Sequence, residues 1–209
     1  MSTKKKYGSQ NLKIDRTDAC NLCLRPTDQC ICDKVEKINN HIHVLILQHP
    51  QEKLKLLNSA KLCEMTLSSS TLKTGLSWRN LSDALGFEAK PSRWGVLYLG
   101  KDAEALKAFT YIDRRKKEIL PPLEVDGIIA LDGSWSQAKT LWWRNSWLLK
   151  CNKIILKPEF TSLRNQAKAN GLSTAEAIAL ALGELESVSI QNSLISQYST
   201  LITSPNIPH

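Results

Sequence analysis

The strongest fold signal in this chain is the stretch Gly127-Ile128-Ile129-Ala130-Leu131-Asp132-Gly133-Ser134-Trp135. Its first five residues form an apolar run typical of a buried strand, and a helix-like segment follows Trp135. Asp132 and Trp135 are therefore predicted where a strand passes into a helix, which is where α/β proteins bind ligands. A carboxylate there can serve as a base, and an indole can stack on a ring. Two simpler interpretations stay open, since such an Asp is often only a helix cap and such a Trp only core.

Strand-like and helix-like segments alternate outward from this stretch. Composition predicts strands at 41–48, 94–100, 125–131 and 153–156. Apolar spacing and capping signals predict helices within 50–65, 102–109, 134–149, 174–182 and from 190 onward, and a loop at 110–124. The alternation predicts an α/β fold with a mainly parallel sheet and flanking helices. Neither GxGxxG nor GxxxxGK[ST] is present, so the fingerprints of the Rossmann and P-loop classes are missing.

Composition narrows the class of protein. The 209 residues suffice for one sizeable core with a small appendage, and 42% of them are hydrophobic, as in folded soluble proteins. The net charge of +8 favours an anionic partner, nucleic acid first, although a generally basic surface explains it too. We find no export signal and no span long enough for a membrane, so a cytoplasmic protein is expected.

Four cysteines fall close together in the pattern C-x2-C-x6-C-x-C, namely Cys20, Cys23, Cys30 and Cys32. Four thiolates in one short segment suit a closed, structural Zn(II) site that stabilises a module over 13–38. Arg25-Pro26-Thr27-Asp28 is interpreted as the turn between the two pairs. An iron–sulfur cluster, two disulfides and four free thiols remain alternatives. Cys63 and Cys151 are predicted to be buried small hydrophobes.

Four ordered segments resemble the DTW-domain family, the tRNA-uridine aminocarboxypropyltransferases. They are the cysteine cluster with Leu22-Cys23-Leu24-Arg25-Pro26, Gln48-His49-Pro50-Gln51-Glu52 with Asn58-Ser59, Leu131-Asp132-Gly133-Ser134-Trp135-Ser136-Gln137-Ala138, and Leu172-Ser173-Thr174-Ala175-Glu176-Ala177. The chain departs from the family at Ser134, where Thr is commoner. It departs again at Thr161-Ser162-Leu163-Arg164, where only Arg164 matches a longer family motif.

The resemblance implies a function and a fold. It implies S-adenosylmethionine as donor, and transfer of its 3-amino-3-carboxypropyl group to N3 of a uridine in tRNA. It also implies a relationship to the SPOUT class, whose cofactor lies in a knotted C-terminal region. The predicted domains are a flexible basic tail at 1–12, the zinc module at 13–38 and the catalytic domain at 39–209.

The predicted catalytic residues are Asp132, as general base for the uridine N3 proton, and Trp135, packing on the donor arm or the target base. Cofactor contacts are assigned to Leu131, Ser134, Ser173 and Thr174, and the predicted helix start at Ser173 and Thr174 suits the cofactor carboxylate. Capping explains Ser134 slightly better, and it explains Ser173 and Thr174 nearly as well.

Substrate contacts are assigned to His49, Glu52 and Asn58, which could share the uridine pocket, although a capped helix start explains them equally well. For tRNA phosphates the compact run Arg114-Arg115-Lys116-Lys117 is the strongest candidate, together with Arg164, but a charge run is often only a solvated face. Weaker basic candidates are Lys4-Lys5-Lys6, Lys53, Lys55, Arg144 and Lys168.

Other functions stay open at this point. The residues also fit the same transfer reaction on ribosomal RNA and an RNA methyltransferase of similar fold. They fit a non-catalytic zinc-containing RNA-binding protein as well. No obligate protein partner is predicted, and the sequence leaves the oligomeric state open.

Overall fold

The structure is a computed structural model that describes residues 18–98, 109–157, 162–163 and 171–203. Its centre is a six-stranded sheet in the order β2-β1-β5-β3-β6-β4. The strands are β1 (His43–Gln48), β2 (Ser70–Thr74), β3 (Trp94–Tyr98), β4 (Phe109–Ile112), β5 (Gly127–Asp132) and β6 (Asn152–Leu156). All neighbours pair in parallel except β4, which is antiparallel to β6 at one edge. The predicted mainly parallel α/β fold is confirmed.

Both faces of the sheet are covered, as parallel sheets require. Alternate residues of the central strands point to opposite faces. Val44, Ile46, Ile128 and Ala130 belong to one apolar cluster, and Leu45, Leu47 and Ile129 belong to a second. This is why the central strands are continuous apolar runs in the sequence.

Five α-helices flank the sheet in the described part of the chain: α1 (Ser59–Thr66), α2 (Leu81–Leu85), α3 (Trp135–Arg144), α4 (Thr174–Leu185) and α5 (Val188–Thr203). The residues of α1, α4 and α5 contribute to the first cluster, and α2 with Trp147 and Leu148 contributes to the second. None of the helices that the structure describes combines the length and apolar character needed to cross a bilayer.

Several predicted elements need correction. The helix predicted within 50–65 is a 3₁₀ turn at Pro50–Glu52 followed by α1, which begins at the Asn58 cap. The helix predicted over 134–149 ends at Arg144, since the buried Asn145 amide donates to the Leu141 and Leu76 carbonyls and a 3₁₀ turn follows.

The segment 109–124 also differs from the prediction. The sequence predicts that Phe109 ends a helix and that 110–124 is a loop, but Phe109–Ile112 is strand β4. Residues 102–108 of the predicted helix lie outside the described residues. The strand is short and at the edge, and its partner β6 is distant in sequence, so local pattern carries little signal for it.

The cysteine-bearing segment packs on the main core. Cys23, Ile31 and Ile38 are buried members of the first apolar cluster. The chain reverses between Cys20 and Arg25, whose backbones bond at 2.7 Å, with Leu24 at a φ of 61°. The reversal therefore lies just before the predicted turn, and a 3₁₀ turn at Thr27–Gln29 follows it.

Candidate active site

Asp132 is the last residue of β5 and lies at the carboxyl edge of the sheet. Its side chain is turned inward and the residue is only 8% exposed. The Thr174 hydroxyl donates to Oδ1 at 2.5 Å, and the Gln48 amide donates to Oδ2 at 2.9 Å. A carboxylate offers about four acceptor positions, so both oxygens keep the capacity to accept a proton.

Gln48 is the residue that holds Asp132 from the neighbouring strand. It ends β1 directly opposite Asp132 in the parallel register and is fully buried. Its Nε2 also donates to Asn58 Oδ1 at 3.0 Å, and its Oε1 accepts from the Thr74 hydroxyl at 3.1 Å. Every hydrogen-bonding atom of this amide is thus used, which fixes its orientation toward the carboxylate.

The pKa of Asp132 is raised above its ordinary value. Burial is the largest cause, because it penalises the charged form, and the nearby Glu52 charge adds to it. The hydrogen bonds from Thr174 and Gln48 act against the shift by favouring the ionised form. A buried carboxylate with a raised pKa, held by two donors, has the properties of a general base.

Two helices begin beside Asp132. Ser134 caps α3 and Ser173 caps α4, each in a capping box, with Gln137 and Glu176 respectively, so the capping interpretation of both serines is confirmed. Thr174 instead turns its hydroxyl to Asp132. Helix N-termini favour anions, so this edge of the sheet suits a ligand carboxylate.

Gly133 makes the turn into α3 possible. A Cβ at this position would lie 2.8 Å from Gln137 Cβ, because the capping box closes directly over the backbone. A side chain there would displace the first turn of the helix. The strand-to-helix turn therefore depends on a glycine between Asp132 and Ser134.

The predicted substrate residues of the second segment cluster at the same edge. His49 donates its backbone N–H to the Asp132 carbonyl at 3.0 Å, and its ring caps the following 3₁₀ turn. Glu52 is buried and pairs with Lys55 at 2.7 Å. Asn58 caps α1 and bonds Gln48. Capping accounts for part of what His49 and Asn58 do, but the structure does bring all three near Asp132.

Trp135 and Leu131 differ in exposure. Trp135 is 54% exposed at the start of α3, so the core interpretation of this residue is wrong. Its indole is exposed at the capped start of α3, where a ligand can reach it. Leu131 is partly buried and packs on the second apolar cluster.

The predicted phosphate-binding run lies elsewhere. Arg114, Arg115, Lys116 and Lys117 are exposed in the turn after β4. Since β4 is antiparallel to β6 and Ile112 pairs with Lys153 near the start of β6, this turn lies at the amino edge of the parallel strands. It is therefore at the opposite edge from Asp132. Arg164, Lys168 and Lys4-Lys5-Lys6 lie outside the described residues.

The four clustered cysteines form a site able to hold a metal ion. Their sulfurs all lie within 4.8 Å of one another, with Cys20 to Cys32 at 3.6 Å and Cys23 to Cys30 at 3.8 Å. Four sulfurs at a Zn–S distance of about 2.3 Å form a tetrahedron with edges of about 3.8 Å. Backbone hydrogen bonds from Cys23 and Leu22 lower the pKa of Cys20 to about 6, whereas burial raises that of Cys32.

Arg25 gives an independent test of whether a metal fits. Arg25 is only 3% exposed, yet all three of its guanidinium nitrogens lack a hydrogen-bond partner among the described residues. A buried unpaired cation is costly. Four thiolates around a divalent metal carry a net charge of −2, so a loaded site supplies the negative charge that this guanidinium lacks.

The other two cysteines are confirmed as buried small side chains. Cys63 and Cys151 are buried in the two apolar clusters. Burial raises the pKa of Cys151 to about 12 and raises that of Cys63 as well, with the Asp132 charge adding to the shift at Cys63. Both thiols are therefore neutral and unreactive at physiological pH.

A separate groove of about 670 Å³ lies between residues 34–39 and α5. Its lining is mostly polar and includes Lys34, Lys37, Asn192 and Ser196. The sequence-predicted site residues do not contribute to it. The groove is therefore distinct from the carboxyl edge at Asp132.

Comparison with known proteins gives one family. A profile described as the DTW domain matches residues 17–204. A curated relative from Macaca fascicularis, named tRNA-uridine aminocarboxypropyltransferase 2, is 31% identical over 179 residues, which cover 82% of this chain and 57% of the relative. Its Mus musculus counterpart, of the same name, is 31% identical over 180 residues, or 82% of this chain and 58% of the relative.

A plant relative is more distant but covers more of both chains. It is tRNA-uridine aminocarboxypropyltransferase A of Arabidopsis thaliana, 25% identical over 214 residues, or 90% of this chain and 80% of the relative. The chain spans less than two thirds of the two mammalian relatives, at 57% and 58% of their length. No solved structure matches this chain.

Proposed function

This chain belongs to the DTW domain family, and from that membership we propose that it transfers a 3-amino-3-carboxypropyl group from S-adenosylmethionine to N3 of a uridine in tRNA. The names of the mammalian and plant relatives support the activity and the tRNA substrate. The observation that carries the proposal is the buried Asp132 carboxylate, held by Thr174 and Gln48 at the carboxyl edge of the sheet.

Asp132 has the chemistry that this reaction needs. Uridine N3 is a weakly acidic imide nitrogen and becomes nucleophilic as its proton leaves. In the proposed mechanism Asp132 takes this proton, and burial supports the role because it strengthens the carboxylate as a base. Thr174 and Gln48 keep the carboxylate in one orientation, which limits the reorganisation needed during proton transfer.

The donor is assigned to the space beside the starts of α3 and α4. When bound, S-adenosylmethionine supplies a sulfonium whose adjacent γ-carbon accepts the nucleophile as the carbon–sulfur bond breaks. The positive N-terminal end of α4, which begins at Thr174, is suited to the donor carboxylate. Trp135 provides an exposed apolar wall for the donor arm or the target base, and Leu131 and Ser134 are assigned to the cofactor. His49, Glu52 and Asn58 are assigned to the uridine side.

The metal in the four-cysteine site is proposed to be Zn(II) in a structural role. The ligand set is closed, so it leaves no position for water or substrate. The close spacing of the four sulfurs supports a loaded site, and so does the buried Arg25 guanidinium, which has no hydrogen-bond partner among the described residues. Metal analysis of the purified protein separates this from iron, since an iron–sulfur cluster adds inorganic sulfide and visible absorbance.

A labelling experiment tests the function. The protein is incubated with unmodified tRNA and S-adenosylmethionine labelled in the carboxyl carbon, and label in the RNA is measured. Label should enter tRNA from this donor and not from a methyl-labelled donor. Label from the methyl donor would identify a methyltransferase, and label only in ribosomal RNA would change the substrate. No label with either donor, together with intact RNA binding, would favour a non-catalytic protein.

The finer features of the prediction belong to this proposal. The proposal also includes a SPOUT-like knot and a cytoplasmic location. Its domains are a flexible basic tail at 1–12, a zinc module at 13–38 and a catalytic domain at 39–209. The mainly parallel sheet is the feature that agrees with a SPOUT relationship. A crystal structure that traces the whole chain is the test of the knot.

A further inference from the structure

Helix α3 exposes two tryptophans on its outer surface. Trp135 is 54% exposed and Trp143 is 71% exposed. Their neighbour Trp142 differs, because it packs on the second apolar cluster and has Lys153 Nζ 5.6 Å from its ring centroid. Large exposed aromatics so close together on one short helix mark a binding surface more often than a structural one.

The two indoles lie on one face with a lysine between them. Trp135, Lys139 and Trp143 are each four residues apart, a step that turns an α-helix by about 40°. The face they share is about 12 Å long, from a rise of about 1.5 Å per residue. It begins three residues after Asp132, so its first residue lies beside the proposed site at the carboxyl edge of the sheet.

The charge around this face is positive. Lys139, Arg144 and Lys150 are exposed, and the sequence from Gly133 to Cys151 contains no acidic residue. Aromatic faces combined with lysine and arginine are the composition of surfaces that bind single-stranded nucleic acid. Bases stack on the rings, and the cations pair with the phosphates between them.

Resting on the proposed function, we propose that Trp135, Lys139 and Trp143 form a platform that binds unpaired nucleotides next to the target uridine. Trp143 stacks on a base a few positions from the target, and Lys139 contacts a phosphate between them. At a stacked rise of about 3.4 Å per nucleotide, the face spans about three to four nucleotides. The platform would favour a uridine in a single-stranded loop, since a paired strand cannot offer its base faces.

Binding of two RNA probes tests the platform. The probes are a hairpin with a uridine-containing loop and a fully paired duplex of the same length, both measured by fluorescence anisotropy. Trp143→Ala should weaken hairpin binding at least fivefold and leave duplex binding unchanged. Lys139→Gln should reduce the slope of log affinity against log salt by about 1.

Phe87→Ala is the matched control. Phe87 is also an exposed aromatic, at 47%, but its ring contacts His43 at 5.3 Å at the amino edge of the sheet. This variant should bind both probes as the wild type does. Each variant is first checked for an unchanged circular dichroism spectrum and unfolding midpoint, so that loss of binding is not loss of fold.

Two results would overturn the platform: wild-type hairpin affinity in Trp143→Ala, or an equal loss of affinity for the hairpin and the duplex. If the variant keeps its hairpin affinity but sediments differently from the wild type, Trp143 serves a protein interface instead. The platform and the proposed function can fail independently of each other in these tests. If the wild type transfers label and Trp143→Ala matches it in affinity and rate, only the platform fails. If Trp143→Ala selectively loses the hairpin but the wild type transfers no label, only the proposed function fails.

Discussion

Asp132 is subject to two opposing effects on its charge. Burial favours the neutral acid, whereas the hydrogen bonds from Thr174 and Gln48 favour the carboxylate, and the net result is a raised pKa. A residue that served only as a helix cap would gain from a low pKa at a helix N-terminus. The balance at Asp132 costs stability and retains basicity, which is the pattern found at functional sites.

This balance predicts the pH dependence of stability. The folded chain binds the Asp132 proton more tightly than the unfolded chain does. The stability that protonated Asp132 contributes is therefore fully present below the unfolded-state pKa of about 3.9, and it is lost as the pH rises through the folded-state pKa. Asp132→Asn removes this dependence. The difference in unfolding free energy, wild type minus variant, should therefore fall with rising pH in urea unfolding experiments. A difference that rises with pH would contradict the raised pKa.

Arg25 gives a second prediction at the residue scale. If its guanidinium compensates the charge of a loaded four-thiolate site, Arg25→Met should weaken zinc binding about 10- to 100-fold, as loss of an outer-shell partner does. Arg25→Lys keeps the charge and should lose less. Competition with a chromophoric chelator measures both variants. Equal zinc affinity of Arg25→Met and the wild type would show that the guanidinium does not act on the metal.

Part of the candidate site could be predicted from its residue types and their spacing. Asp132 and the four cysteines stand out because a carboxylate after an apolar run and four spaced thiols are rare patterns. Gln48 and Arg25 could not be found in the same way. Gln48 resembles an ordinary strand end until the register places it opposite Asp132, and Arg25 resembles a turn residue until its burial is known.

At the scale of elements, α4 is held to the neighbouring loop by one carboxylate. Glu176 is fully buried and accepts hydrogen bonds from the Ser162 hydroxyl and from the backbone N–H groups of Leu163 and Ser173, each at 2.7 Å. The capping box explains only the Ser173 contact. Glu176 therefore also fixes the described loop residues next to the start of α4, and so next to Thr174.

Glu176→Ala should lower the unfolding free energy by about 3 kcal/mol, because it leaves buried N–H donors without acceptors. Glu176→Gln keeps one acceptor oxygen and should lose less, and Ser173→Ala should lose about 1 kcal/mol, the usual value of a cap. Urea unfolding at constant pH measures all three variants. A smaller loss in Glu176→Ala than in Ser173→Ala would contradict the role of the carboxylate.

The types of the long elements followed from sequence, and their ends did not. The central strands and α4 carry strong periodic or capping signals, and they form as predicted. The end of α3 is set by Asn145, whose amide bonds the distant Leu76 carbonyl at 3.0 Å as well as the Leu141 carbonyl. Such tertiary contacts override helix propensity, and sequence spacing does not display them.

At the scale of the whole molecule, the basic charge is spread over both edges of the sheet. The Arg114–Lys117 turn lies at the amino edge, whereas Asp132 and the start of α3 lie at the carboxyl edge. Which strands become neighbours depends on long-range pairing, so the sequence could not place the turn relative to Asp132. The proposed substrate, tRNA, is large enough to contact both edges.

This arrangement separates affinity from chemistry. Replacing Arg114, Arg115, Lys116 and Lys117 by Gln should weaken tRNA binding and reduce its salt dependence, since fewer phosphates are neutralised. The transfer rate at saturating tRNA should stay within about twofold, because the turn is far from the reacting atoms. Filter binding over a salt series and single-turnover rates measure the two effects. A large fall in the saturated rate would place the turn in the catalytic machinery.

The role of Asp132 is tested most directly by the single-turnover rate of Asp132→Asn with carboxyl-labelled S-adenosylmethionine and saturating tRNA. Loss of a general base costs about 10²- to 10⁴-fold, so the rate should fall by at least 100-fold while donor affinity, measured by calorimetry, stays close to that of the wild type. A variant that transfers the group within tenfold of the wild-type rate would contradict the account.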